Sequence, residues 1–309
     1  MDKSTRSLVL SLGEVFNIIH MKRYALLIAL SLAALSTHTL HAGVFYSMDT
    51  INLYTVNTTN AQATVVAAAS LTNGPSGTSL GNTLDLTYNP ADQKLYGIFT
   101  LIGGVIGTKY LGSINTSTAA ITLGPTINEP QSGPPIAPAF DGSGNLFIGT
   151  GSPTFMNSVN LSTGALTPIG SAPPQGAFAW DLSNNRLLLA SGNLDFASVN
   201  TSTAATSAIA TIAGQPTPLS LVVTELGAIY GIAFGSSNIT TPILFSYNLA
   251  GPSATSIGGV LGALRGSTRT VLSVLGYVPN TGALAPEPAT TGLIAIGALA
   301  LFAFRKRLQ

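Results

Sequence analysis

The sequence has 309 residues and no cysteine, and its only histidines are His20, His38 and His41. Without cysteine there are no disulfides and no thiolate metal or redox sites. All three histidines lie at or before the expected end of a removable leader, so the body beyond it has neither His nor Cys. That removes the commonest general base near neutral pH. It also removes the Ser-His-Asp and Cys-His constellations and the ordinary zinc and iron sites. Charge is scarce as well: 7% of residues are charged, against roughly 25% in a typical soluble domain. The formal net charge of +1 comes from the ends. Between Gly43 and Ala285 there are five bases and eight acids, a balance of −3. A nucleic-acid partner needs a clustered basic face, and this body offers none. Its middle is rich instead in Thr, Ser, Asn, Gly and Ala.

Met21-Lys22-Arg23 precedes the apolar run from Tyr24 to Leu35, the order of charge and hydrophobicity found in a secretory signal peptide. Cleavage fits after Ser36 (Ala34-Leu35-Ser36) or after Ala42 (Leu40-His41-Ala42). The run is 12 residues long, short of the roughly 20 needed to cross a bilayer. Residues 1–20 read as a start-site extension before a second usable Met. The expected organisation is this extension, a signal peptide over 21–42, a body over 43–282 and a tail over 283–309.

In the tail, Pro286-Glu287-Pro288 leads into an apolar stretch from Thr291 to Phe304 and then Arg305-Lys306-Arg307. In these parts and their order the tail resembles the PEP-CTERM sorting signal of Gram-negative bacteria. The prolines keep the backbone extended before the apolar helix, and the basic cluster holds the far end on the cytoplasmic side. The resemblance implies an exosortase-type membrane enzyme as partner, with export through the inner membrane. A transient anchor through a C-terminal helix would then give way to a place in the envelope, on the outer surface or outside the cell. A plain anchor that is never cut is the alternative.

The body is repetitive. Five segments end a strand-like run on Asn: Leu53 to Asn57, Leu111 to Asn115, Met156 to Asn160, Phe196 to Asn200 and Leu244 to Asn248. The Asn spacings are 58, 45, 40 and 48. Between them lies a second recurring phrase, which closes on Tyr96, Phe147, Leu188 and Tyr230, with Tyr46 as the matching position of the first unit. Each unit reads as four short strands separated by Gly/Asn/Asp/Ser turns, near the period of propeller blades. Helical periodicity is absent. The expected fold is therefore all-β, a β-propeller-like ring of four-stranded antiparallel blades. Five blades fit the five Asn copies, while a faint copy at Tyr277 to Gly282 keeps six open. The first unit lacks an innermost strand, which Arg269 to Tyr277 can supply. The body also resembles propeller-like repeat proteins that precede PEP-CTERM tails.

Carboxylates remain as candidates for chemistry. Asp141-Gly142-Ser143-Gly144-Asn145 imitates a calcium loop but lacks the downstream bidentate Glu, so turn chemistry is the better reading and Ca²⁺ the weaker one. Asp85, Asp181 or Glu225 can be drawn into an acid pair for glycoside cleavage, yet no spacing selects two of them. Asn57, Asn115, Asn160, Asn200 and Asn238 begin Asn-x-Ser/Thr triplets. Four of these are the repeat Asn, which reads as an Asx turn. Trp180, the single tryptophan, is expected in the core or at the rim of the channel. The sequence thus supports a non-catalytic, exported scaffold or binding module associated with exopolysaccharide or the cell surface. It specifies no catalytic, cofactor-binding or metal residue. The alternative is a carboxylate-dependent polysaccharide lyase or glycosidase on a propeller.

Overall fold

β-branched and aromatic residues alternate with small polar ones between tight turns, and that pattern folds here into strands throughout. The structure is a computed structural model that describes residues 43–127, 136–150, 155–171, 176–235, 238–260 and 274–279. All fall within one compact unit, Gly43–Thr281. Among the described residues there is no α-helix, and no helix long and apolar enough to cross a membrane.

The first blade takes β1 (Val44–Met48), β2 (Asn52–Val56) and β3 (Ala63–Ala68). The second has β4 (Ser70–Leu71), β5 (Ser79–Asn89), β6 (Lys94–Ile102), β7 (Lys109–Ile114) and β8 (Ala120–Ile127). The third has β9 (Ile136–Phe140), β10 (Leu146–Thr150), β11 (Phe155–Val159) and β12 (Leu166–Ser171). The fourth has β13 (Gly176–Asp181), β14 (Arg186–Ser191), β15 (Asp195–Val199) and β16 (Thr206–Thr211). The fifth has β17 (Ser220–Val223), β18 (Ile229–Gly235), β19 (Asn238–Asn248) and β20 (Ser253–Gly259). The last strand, β21 (Gly276–Val278), joins the first blade, so that blade runs β21-β1-β2-β3. Innermost strands β21, β5, β9, β13 and β17 pack against one another in cyclic order, and β17 returns to β21. The body is a five-blade propeller closed by its C-terminal strand.

Among the described residues the closing strand is Gly276–Val278. It pairs Val44 with Val278, Phe45 with Tyr277 and Tyr46 with Gly276. Val274 and Leu275 precede it, buried and outside the ladder, and residues 269–273 lie outside the described residues. The repeat Asn residues all end the third strand of their blade, and Tyr46, Tyr96, Phe147, Leu188 and Tyr230 all fall in the second.

Two details repeat around the ring and explain how blades fit together. In the outermost strand one residue bulges out of register, and four of these are Val66, Ile169, Ile209 and Ile257. A bulge twists the strand, and here each extra side chain packs half-buried on a core cluster. Four residues after the repeat Asn, Ala61, Ala119, Gly164 and Ala204 adopt positive φ. The three alanines bury their methyls completely or nearly so, which offsets the backbone strain of that conformation. At Gly164 no methyl fits, because a Cβ would lie 1.9 Å from the Thr126 carbonyl oxygen of the preceding blade.

Candidate functional site

In a propeller the axis is the first place to look for a site, and strand register shows what lines it. Tyr88, Phe140, Trp180, Val223 and Tyr277 occupy one equivalent position on the five innermost strands. All five line a cavity at the mouth of the axis, with Leu182, Glu225 and several prolines beside them. The next position inward is small or apolar: Thr87, Ala139, Ala179, Val222 and Gly276. The cavity holds about 80 Å³, room for two or three waters at about 30 Å³ each. Ligand pockets run to roughly 300–1,000 Å³. Among the described residues Glu225 is the one carboxylate lining this mouth, and it accepts a hydrogen bond from the Tyr277 hydroxyl. The same hydroxyl accepts the Gly43 N–H at 2.9 Å. Trp180 is a half-buried rim residue whose Nε1–H meets no acceptor.

The carboxylates named as candidates from sequence are not brought together; each is occupied in its own place. Asp141 Oδ1 accepts the Ser143 and Asn145 N–H groups at 2.9 and 2.8 Å, and its Oδ2 accepts Asn145 Nδ2 at 2.8 Å. That is a self-contained turn. Asp181 closes the matching turn of the fourth blade, bonded by Ser183 Oγ, Asn184 Nδ2 and Arg186 Nε at 2.6–2.9 Å. Burial alone would raise its carboxyl; the bonds from Ser183, Asn184 and Arg186 outweigh that and hold it below the usual range. Asp85 lies deep in the ring and accepts the Ser220 hydroxyl at 2.6 Å. Burial first, only partly opposed by the Ser220 and Leu86 bonds, pushes its carboxyl up to about 7. Among the described residues no cluster of three or more Asp, Glu, His or Cys could hold a metal.

The repeat Asn residues are turn residues. Asn57, Asn115, Asn160, Asn200 and Asn248 each accept, through Oδ1, the backbone N–H two residues on, at 2.8–3.0 Å. Asn238, the remaining triplet residue, instead begins β19.

A larger opening than the axial cavity lies on the second blade. A groove of about 620 Å³ runs over the turn ends of β6, β7 and β8 beside Val278 of the closing strand. Gln93, Lys94, Ser113, Asn115, Ser117 and Thr122 supply its polar wall, and Leu95 and Ile114 its apolar floor. No carboxylate lines it, and Lys94 has no ion-pair partner among the described residues. The groove adjoins a departure from the repeat. Strand β4 pairs parallel with β8 along its outer edge. Thr72 and Asn73 continue the strap, with Asn73 Nδ2 bonded to the Leu123 carbonyl at 2.8 Å and its Oδ1 to the Leu123 N–H at 2.7 Å. Thr72 Oγ1 also lies 3.0 Å from Thr122 Oγ1. Apart from the repeat residue Asn115, the sequence does not single out these groove residues, because hydroxyls and amides in turns carry no motif. The available signal was the first Asn spacing, 58 against 40–48 elsewhere, which marks the added strap.

The sorting residues Pro286, Glu287 and Pro288, the basic cluster Arg305, Lys306 and Arg307, and the cleavage candidates Ser36 and Ala42 lie outside the described residues. Comparison with known proteins bears on the tail directly. Residues 284–307 match the family described as the PEP-CTERM protein-sorting motif. No curated protein matches the chain by sequence. Among solved structures, a protein of unknown function from Bacteroides caccae is similar at 8% identity and TM-score 0.43, over 77% of this chain and 99% of that one. A gluconolactonase from Xanthomonas campestris is similar at 12% identity and TM-score 0.41, over 60% of this chain and 63% of that one. An oligogalacturonate lyase in complex with manganese is similar at 14% identity and TM-score 0.41, over 73% of this chain and 65% of that one. The motif implies export and processing by an exosortase at the membrane. The chain carries a match to the PEP-CTERM protein-sorting motif at residues 284–307, and its body is a five-blade β-propeller.

Proposed function

We propose that the chain is a non-catalytic surface protein that, after exosortase processing, binds extracellular polysaccharide through the groove on its second blade. The observation that carries this reading is the contrast between the two openings. The axis, where propeller chemistry would be expected, offers about 80 Å³ and a single carboxylate already bonded to Tyr277. The groove offers about 620 Å³ with hydroxyl and amide walls. Such walls exchange hydrogen bonds with sugar hydroxyls, and a lone Lys94 favours a glycan carrying carboxylate or other anionic groups. Asp141 and Asp181 are held in turns and Asp85 is buried against Ser220, which favours binding over the acid–base pair that glycoside cleavage uses.

The test is co-sedimentation and calorimetry of the full chain, held in mild detergent, with purified acidic and neutral polysaccharides. Binding of the acidic polymer, weakened by Lys94→Gln and abolished by the groove-filling Ser117→Trp, is the expected result. Unchanged binding in both variants, or shortening of the polymer during incubation, contradicts it.

A further inference from the structure

Asp85 and Ser220 hold the same register position on the innermost strands of the second and fifth blades. Between those blades lies the closing strand, only three residues long. The Ser220 hydroxyl is 2.6 Å from Asp85 Oδ1 and 3.1 Å from the Leu275 carbonyl oxygen, and it accepts the Leu275 N–H at 3.0 Å. Three blades therefore meet at one hydroxyl. Both side chains are essentially sealed from water, with Asp85 at 4% and Ser220 at 1% exposure.

A hydroxyl has one proton and cannot donate to Asp85 and to Leu275 at the same time. The protonation state of Asp85 decides where that proton goes. A neutral Asp85 carboxyl donates its own O–H to Ser220 Oγ, which frees the Ser220 O–H for the Leu275 carbonyl. An ionised Asp85 accepts the Ser220 O–H, and the Leu275 carbonyl loses that bond. The proton released on ionisation goes to solvent, and no other species is needed.

We propose that Asp85 is a proton-operated latch on the ring, locking the C-terminal strand through Ser220 when neutral and loosening it when ionised. Its raised titration, near 7, puts the change at the edge of the neutral range. The titratable groups on the elements packed around it are Tyr88 on β5, Lys94 and Tyr96 on β6, Tyr46 on β1 and Asp49 after it, Glu225 after β17, and Tyr277 on β21. Burial, opposed in part by the Ser220 and Leu86 bonds, raises its carboxyl.

Hydrogen exchange of the full chain in mild detergent tests this, read on peptides covering residues 274–278 and corrected for intrinsic rates. Between about pH 5.5 and about pH 8.5, loss of one bond should speed exchange there by roughly fivefold or more. Peptides from β14 and β15 should change little. Asp85→Asn, a permanent mimic of the neutral acid, should keep the segment slow at every pH. Flat exchange in the wild type, or the same rise in Asp85→Asn, overturns the proposal. If that variant does not fold, the ¹³C shift of the Asp85 carboxyl in the wild type decides. Titration near neutrality, matched by the Leu275 amide, supports the latch; a carboxyl already ionised at about pH 5 refutes it.

Discussion

The fourth blade and the first are built on the same plan and held together by different means. In the fourth, four consecutive strands follow one another through short turns, and the innermost strand is paired along six residues, Gly176–Asp181. In the first, the innermost strand arrives from more than 200 residues away and is paired along three. What the first blade lacks in ladder it makes up with side chains. Tyr277 bridges Gly43 and Glu225, Ser220 holds both bonding groups of Leu275, and Ser47 Oγ donates to the Val274 carbonyl at 2.5 Å. A ring of repeats is cooperative only when closed. The ladder on which closure depends is thus half the length of its counterpart in the fourth blade, and buried polar bonds at that seam supplement it.

The largest effect should come from removing the seam. A chain truncated after Ser273 exposes the β1 and β17 sides of the junction and should lose its cooperative melt, or lower it by roughly 10 °C or more. Calorimetry on the full and shortened chains measures this. Persistence of the original transition would mean that four complete blades stand without the fifth closure.

Next comes a difference between turns of successive blades. Gly164→Ala forces a methyl against the Thr126 carbonyl and should cost about 3 kcal/mol in denaturant unfolding. At the matching place in the fourth blade, Ala204→Gly trades a buried methyl for relief of positive φ and should change stability by about 1 kcal/mol or less. Similar losses at both sites would show that the inter-blade joints are not individually shaped.

Asp85 gives a pH dependence of defined sign. Its unfolded carboxyl titrates near 3.8 and its folded one near 7, so between those values the folded chain binds the extra proton. Stability should then fall as pH rises through that window, by a few kcal/mol in all, and level off above it. Asp85→Asn should flatten the curve. A wild-type curve that rises over the same range would place the controlling group elsewhere.

The smallest comparison uses two tyrosines at one ring position. Tyr277→Phe loses the bonds to Glu225 and Gly43 and should cost about 1–2 kcal/mol. Tyr88, at the equivalent place in the second blade, has no hydrogen-bond partner for its hydroxyl among the described residues. Tyr88→Phe should be close to neutral.

Much of the fold is legible in the sequence, for a local reason. The repeat Asn ends a strand because its carboxamide satisfies the backbone N–H two residues ahead, and that chemistry needs no distant partner. The aromatic or Leu in the second strand recurs because each blade must present a large apolar residue to its neighbour. What could not be read depends on distance or on substitution within the pattern. Alanine stands where Gly would announce positive φ, at Ala61, Ala119 and Ala204, because the preceding blade buries its methyl. Asp85 looks like one more acid available for catalysis until Ser220, 135 residues later, is brought beside it. The apolar alternation from Arg269 suggests a nine-residue strand, whereas among the described residues Leu275 is bonded to Ser220 and the ladder runs over Gly276–Val278. The groove residues Ser113 and Thr122 look like ordinary strand hydroxyls until the strap of β4 shows that their blade departs from the repeat.

The absence of native cysteine makes the closing strand directly testable. Val44 and Val278 are cross-strand partners, at a separation typical of residues a disulfide can join, and both are accessible at the edge of the seam. In the double variant Val44→Cys/Val278→Cys, mild oxidation should produce an intramolecular crosslink that raises the melting temperature and is reversed by reductant. A control that moves the second cysteine to Thr255 on the fifth blade should not crosslink. Failure of the 44–278 pair to form, or equal crosslinking in the control, would contradict a ring closed by its C-terminal strand.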